Sequence, residues 1–217
     1  MQDVRNECVV LLHGLARTAR SMVPLAVAFE AAGYRVLNVA YPSRLHVIEV
    51  LAEVAVGKAL ARCAAFAPRA IHFVTHSLGG ILVRQYLGRH AVANLGRVVM
   101  LAPPNQGSEV VDRFGWLPGF RLFNGPAIEQ LGTGTASLPR RLGALHAPVG
   151  VIAGTRSVNW LLSTALPGPN DGKVSVASTR CAPSSSSTPS TNSTRSSATS
   201  PSARHAPSPT PSRTARW

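Results

Sequence analysis

The chain has 217 residues, of which 45% are hydrophobic and only 14% charged, with a formal net charge of +13. That length holds one domain with a substantial core, and that much apolar residue excludes a wholly disordered chain. The 22 Lys and Arg residues are scattered, with Arg140-Arg141 the densest point, so the clustered footprint of a nucleic-acid binder is missing and no nucleic-acid partner is expected.

Cys8-Val9-Val10-Leu11-Leu12 is a continuous apolar run ended by His13-Gly14, the pattern of a strand buried on both faces. Ser21 is placed to cap a helix running to Ala32 and stopped by Gly33. Residues 34–40 read as a second strand, closed by Tyr41-Pro42. Val47, Val50, Leu51 and Val54 recur at helical spacing with Glu49 and Glu53 on another face, predicting a helix to Phe66, before Pro68. Residues 71–75 read as a third strand, 81–89 as a helix, 98–101 as a fourth strand and 149–153 as a fifth. Strands alternating with helices predict an α/β fold, a mainly parallel sheet wrapped by helices through right-handed crossovers. The Gly- and Pro-rich stretch at about 104–147 is longer than a plain connection and is expected to form a cap over the site.

The composition changes abruptly at Cys181. The 37 residues of 181–217 include 12 Ser, 6 Thr, 6 Pro, 5 Ala and 4 Arg, with no acidic residue and no aliphatic larger than alanine. A segment with so little to bury cannot offset its ordering entropy. The expected organisation is therefore a folded domain at 1–180 and a disordered tail at 181–217. No apolar run reaches membrane-helix length. The polar start, Met1 to Glu7, lacks the charged, apolar and cleavage regions of a signal peptide. Cys8, Cys63 and Cys181 are odd in number and lack metal-ligand spacing. They predict no disulfide framework, no zinc site and a reducing, cytoplasmic compartment. The oligomeric state is not legible.

Thr75-His76-Ser77-Leu78-Gly79-Gly80 falls between a predicted strand and a predicted helix, the context that a strained serine-bearing turn of the G-x-S-x-G kind requires. Such a turn lifts the Ser77 hydroxyl above the sheet edge and aims the Leu78 N–H at a developing oxyanion. Thr75 stands where the strict pattern has glycine, and its branched side chain needs local room. The turn at His13-Gly14-Leu15 ends the first strand. In a serine hydrolase this loop donates the other oxyanion N–H, here from Leu15, and Gly14 lets the backbone approach a substrate closely. His13 itself is read as bonding its own loop. An acyl-transfer triad also needs a carboxylate. Among Asp3, Asp112 and Asp171, only Asp171 follows the fifth strand in a loop, giving the order Ser, Asp, His.

These pieces, with Ala102-Pro103-Pro104-Asn105-Gln106-Gly107-Ser108 and Asn170-Asp171-Gly172-Lys173-Val174, resemble a small bacterial α/β-hydrolase of the lipase/esterase type over residues 7 to about 180. The resemblance implies Ser77 as nucleophile, Asp171 as acid, backbone N–H groups of Leu15 and Leu78 as oxyanion donors, and no metal or cofactor. It also implies a base some twenty residues beyond the acid. The chain instead enters its Ser/Pro tract, where His205 is the one histidine after Asp171 and has no means of being fixed. The composition of the tract is that of a GC-rich gene read in a shifted frame, so a non-native C-terminus is expected, with near-background activity. Phe114, Trp116, Leu117, Phe120, Leu122 and Phe123 in the cap suggest an ester with an acyl or lipid-like group, or serve only to pack the cap. The alternative function is a hydrolase fold kept as a non-catalytic binding or scaffold module.

Overall fold

The computed structural model describes residues 6–153. The expected boundary at residue 180, the tail at 181–217, Asp171 and His205 lie outside the described residues.

Five parallel strands form one sheet in the order β2-β1-β3-β4-β5: β1 (Glu7–Leu12), β2 (Arg35–Val39), β3 (Ala70–His76), β4 (Leu95–Leu101) and β5 (Val149–Ile152). Every residue of β1 is buried. Its side chains alternate between two cores: Cys8, Val10 and Leu12 join the larger, Val9 and Leu11 the smaller. This is why the strand reads as an unbroken apolar run rather than an alternating one. Among the described residues β5 pairs only with β4, at one edge of the sheet, and Ile152 is 60% exposed.

Helix α1 (Val23–Ala31) covers the smaller core, packing Ala26 with Met22 and Val74. The opposite face carries α2 (Ile48–Ala52), a single π turn (Glu53–Gly57) and α3 (Lys58–Ala64), which run on as one rod beside α4 (Leu78–Leu87). The buried stripe Ile48, Leu51, Ala55, Ala59 and Cys63 seats that rod on the sheet. The chain steps from β1 to β2 in one direction and from β3 to β4 in the other. Right-handed crossovers then place α1 and α4 on opposite faces. The reversal falls between β1 and β3, so a crevice opens at their C-terminal ends.

Three local expectations need correction. The predicted uniform helix to Phe66 contains the π turn. Ser21 does not cap α1: its hydroxyl bonds the Thr18 carbonyl at 2.8 Å, within a short 3-10 turn (Ala19–Met22), and α1 starts at Val23 with a proline in its first turn. Helix α4 begins at Leu78, three residues before the predicted start, because the turn at Ser77 leads straight into it.

Between β4 and β5 lie α5 (Glu109–Phe114), α6 (Phe120–Asn124), a 3-10 turn (Pro126–Leu131) and α7 (Leu138–Arg141). Arg84 of α4 ties this segment down. It is buried, not part of the scattered basic surface that the composition suggests, and donates to the carbonyls of Asn105, Pro139, Leu142 and Gly143 and to Asn105 Oδ1 over 2.6–3.4 Å. Gln130 adds a second tie, accepting the Ile48 N–H and donating to Glu49, each at 2.7 Å.

Candidate active site

Ser77 joins β3 to α4 with φ 50° and ψ −117°. A non-glycine residue rarely adopts such a φ, and it persists only where the surroundings impose it. Here the Ser77 N–H donates to the Leu101 carbonyl of β4 at 2.8 Å, and its carbonyl accepts the Gly80 N–H at 3.0 Å. The turn is closed from the β1 side as well. A Cβ on Gly79 would lie 2.8 Å from the Leu12 carbonyl oxygen and 3.1 Å from that of His13, so no larger residue fits without moving β1. Thr75, in the glycine position of the strict pattern, is wholly buried, and its hydroxyl points toward the Val99 carbonyl at 3.4 Å. A Cβ on Gly80 would stand only 3.3 Å from that hydroxyl. The second glycine thus supplies the room that the branched threonine needs.

Register brings the two turns together. Leu12 is paired with Thr75, so the His13-Gly14-Leu15 turn stands beside His76 and Ser77. A Cβ on Gly14 would fall 2.7 Å from His76 Nδ1 and 3.2 Å from Ser77 Cβ. His13 bonds its own loop, as its position in the turn suggests: Nδ1–H donates to the Gly14 carbonyl at 2.9 Å, which leaves Nε2 to face the Tyr41 N–H at 3.5 Å. The imidazole stacks on the Tyr41 ring, centroids 4.1 Å apart, and the Tyr41 hydroxyl donates to the His13 carbonyl. Burial holds the imidazole neutral, below its ordinary pKa, against the opposing effect of its hydrogen bonds to Gly14 and Tyr41. Tyr41 carried no signal in the sequence beyond ending a strand, yet it fixes the β1 turn from above.

Other charged candidates are engaged elsewhere. His72 binds Glu7 at 3.0 Å and accepts the Arg97 N–H at 2.9 Å. Burial opposes the Glu7 charge, but hydrogen bonds from His72 and Arg69 outweigh it and hold that carboxyl below its usual range. His90 pairs with Glu53 at the surface. Asp112 ties α5 to the later part of its segment, accepting from the Thr133 N–H and hydroxyl over 2.5–3.2 Å. No cluster of three or more His, Cys, Asp or Glu among the described residues is arranged to hold a metal. None of their helices is long and apolar enough to cross a membrane.

A cavity of about 510 Å³ adjoins Ser77 and Leu15. Its remaining wall comes mainly from the segment between β4 and β5, with Val111 and Phe114 of α5, Phe120 of α6, and Ile128 among the lining residues. The wall is largely apolar. The strand ends therefore place a hydroxyl beside a closely approaching backbone turn, at the edge of an apolar space.

Solved structures share this architecture. The mature form of the Bacillus licheniformis lipase BlEst2 superposes with a TM-score of 0.66 at 20% identity, over 83% of this chain and 81% of that one. Its propeptide form gives 0.68 at 21% identity, over 83% of this chain and 44% of that one. The phospholipase PlaB from Legionella pneumophila, in complex with thio-NAD, gives 0.61 at 19% identity, over 80% and 44% of the two chains. At such identities the likeness is one of fold. No curated protein matches the sequence. The model of the alpha/beta hydrolase family matches residues 9–214, and with that match over a parallel sheet of this topology the chain belongs to the alpha/beta hydrolase family.

Proposed function

We propose that the chain is a serine hydrolase of carboxylic esters that works through an acyl-enzyme on Ser77. The observation that carries this reading is the juxtaposition of a strained Ser77 at φ 50° with the Gly14 turn, 3.2 Å from Ser77 Cβ to a Cβ built on that glycine. Ser77 Oγ attacks the ester carbonyl carbon and loses its proton to a base. The carbonyl π electrons move to oxygen, and the N–H groups of Leu15 and Leu78 receive the resulting oxyanion. The intermediate then expels the alcohol, which takes up a proton. Water repeats the sequence on the acyl-enzyme and frees the acid.

Asp171 is assigned as the acid from chain order, and His205 is the histidine to test as its partner. The segment at 104–147 is assigned as a cap, since Val111, Phe114 and Phe120 wall the cavity beside Ser77. That wall suits an acyl chain or a lipid-like group, and the lipase and phospholipase named among the structural neighbours agree with it. The domain is taken as 1–180, with 181–217 outside it.

The test is hydrolysis of p-nitrophenyl esters of increasing acyl length by the full chain and by Ser77→Ala. The full chain should exceed both buffer hydrolysis and the roughly 10³-fold over water that oxyanion and binding contributions alone leave. Ser77→Ala should remove that excess with an unchanged circular dichroism spectrum. A variant that keeps most of its turnover would move the nucleophile elsewhere.

A further inference from the structure

Cys8 on β1 and Cys63 in the last turn of α3 face one another inside the larger core. They are 55 residues apart in sequence, both fully buried, with Sγ atoms 2.8 Å apart. Two thiols in a core often serve as small apolar groups, but these two are in direct hydrogen-bond contact with one another. The backbone on one side is fixed, because β1 is hydrogen-bonded to both β2 and β3. The rod carrying Cys63 is seated by its own buried stripe. The fold therefore holds the two sulfurs within 1 Å of the roughly 2.05 Å of a bond, and no other cysteine lies among the described residues.

We propose that Cys8 and Cys63 are a disulfide-forming pair, closed during folding by exchange with a low-molecular-weight disulfide such as oxidised glutathione. One cysteine thiolate attacks a glutathione sulfur and releases one glutathione thiolate. The second cysteine thiolate then attacks the cysteine sulfur of the mixed disulfide and releases the other. Two protein thiols are oxidised, one glutathione disulfide is reduced to two thiols, and the two cysteine protons end on the departing glutathiones. Closure precedes the sealing of the core, since neither sulfur is accessible afterwards. The bond ties the strand that ends in the His13-Gly14-Leu15 turn to the rod on one face of the sheet. It closes a loop that contains α1, β2 and α2, and Cys181 is left over. A chain so built would be most stable in an oxidising compartment, contrary to the expectation from cysteine count.

The test is to refold the full chain in a buffer of oxidised and reduced glutathione, then denature it and alkylate with iodoacetamide before intact-mass measurement. Of the three cysteines, one should be alkylated without reductant and three after dithiothreitol. A non-reducing tryptic digest should join the peptide of residues 6–17 to that of residues 63–69. The midpoint of thermal unfolding should fall on reduction by at least about 5 °C, and reductant should leave that of the double variant Cys8→Ala, Cys63→Ala unmoved. Should the double variant not fold, the peptide map of the unaltered chain decides alone. Three alkylated cysteines after refolding in the same buffer, or a bridge made through Cys181, would overturn the proposal.

Discussion

The sheet up to Leu101 and the segment between β4 and β5 reach order by different routes. In the first, strands and rods bury their own apolar stripes: all of β1 is buried, and Phe73, Leu78, Ile81 and Leu82 show no exposure. In the second, the longest helix has six residues, too few to stand alone in water, and Leu122, Trp116 and Phe123 are 90%, 76% and 66% exposed. That segment sends only a few apolar side chains, Val111, Ala127, Ile128, Leu131 and Leu138, into the larger core and adds polar ties from Arg84 and Gln130, with the Asp112–Thr133 pair bracing it internally. The difference separates two tasks. The strained Ser77 and the Gly14 turn sit on the strand ends of the sheet, whereas most of the cavity wall sits on the later segment.

Breaking the ties should therefore loosen one region and spare the other. Arg84→Met leaves five hydrogen bonds unmade, four of them to backbone carbonyls, and should cost about 3 kcal/mol. Amide hydrogen exchange should rise over 102–148 with little change in β1 and β3. Equal loss of protection in both regions would show that they fold as one unit.

Gly79→Ala probes the rigid side. Its Cβ meets the Leu12 carbonyl oxygen at 2.8 Å, so β1 and α4 must separate, at about 1–3 kcal/mol. Esterase activity should fall further than stability alone explains, because the Gly14 turn moves with β1. Unchanged unfolding and turnover would mean that the two turns are not as tightly seated as the contact implies.

A smaller effect comes from pH. Buried His13 has a pKa below its ordinary value of about 6.5. The unfolded chain binds the proton first, so the contribution of neutral His13 is complete above about pH 6.5 and is lost as pH falls toward the lowered folded value. Glu7, also lowered, adds its own loss only in the more acidic range where the unfolded carboxyl titrates, near pH 4.3. Urea midpoints should therefore fall between pH 7 and 5, and His13→Gln should flatten that slope. An unchanged slope in His13→Gln would remove His13 as its source.

The strands were legible because burial on both faces writes itself as unbroken apolar runs, and each predicted strand falls within two or three residues of its observed bounds. The serine turn was legible because its steric demands select a small residue two positions beyond Ser77, at Gly79. What escaped depends on contacts between distant residues. Arg84 looks like any helical arginine until the segment from Asn105 to Gly143 wraps it. Cys8 and Cys63 share no spacing that marks them as neighbours. The room for Thr75 comes from Gly80 and the β4 edge, which no local pattern reveals. The π turn hides because its residues remain compatible with an ordinary helix.

The most direct measurement is covalent labelling by an alkyl fluorophosphonate, followed by peptide mapping. An activated Ser77 predicts a single adduct on the tryptic peptide of residues 70–84, formed by the folded chain and absent from both the denatured chain and Ser77→Ala. An adduct on another residue, or labelling of the folded chain no faster than of the denatured one, would contradict a Ser77 acyl-enzyme.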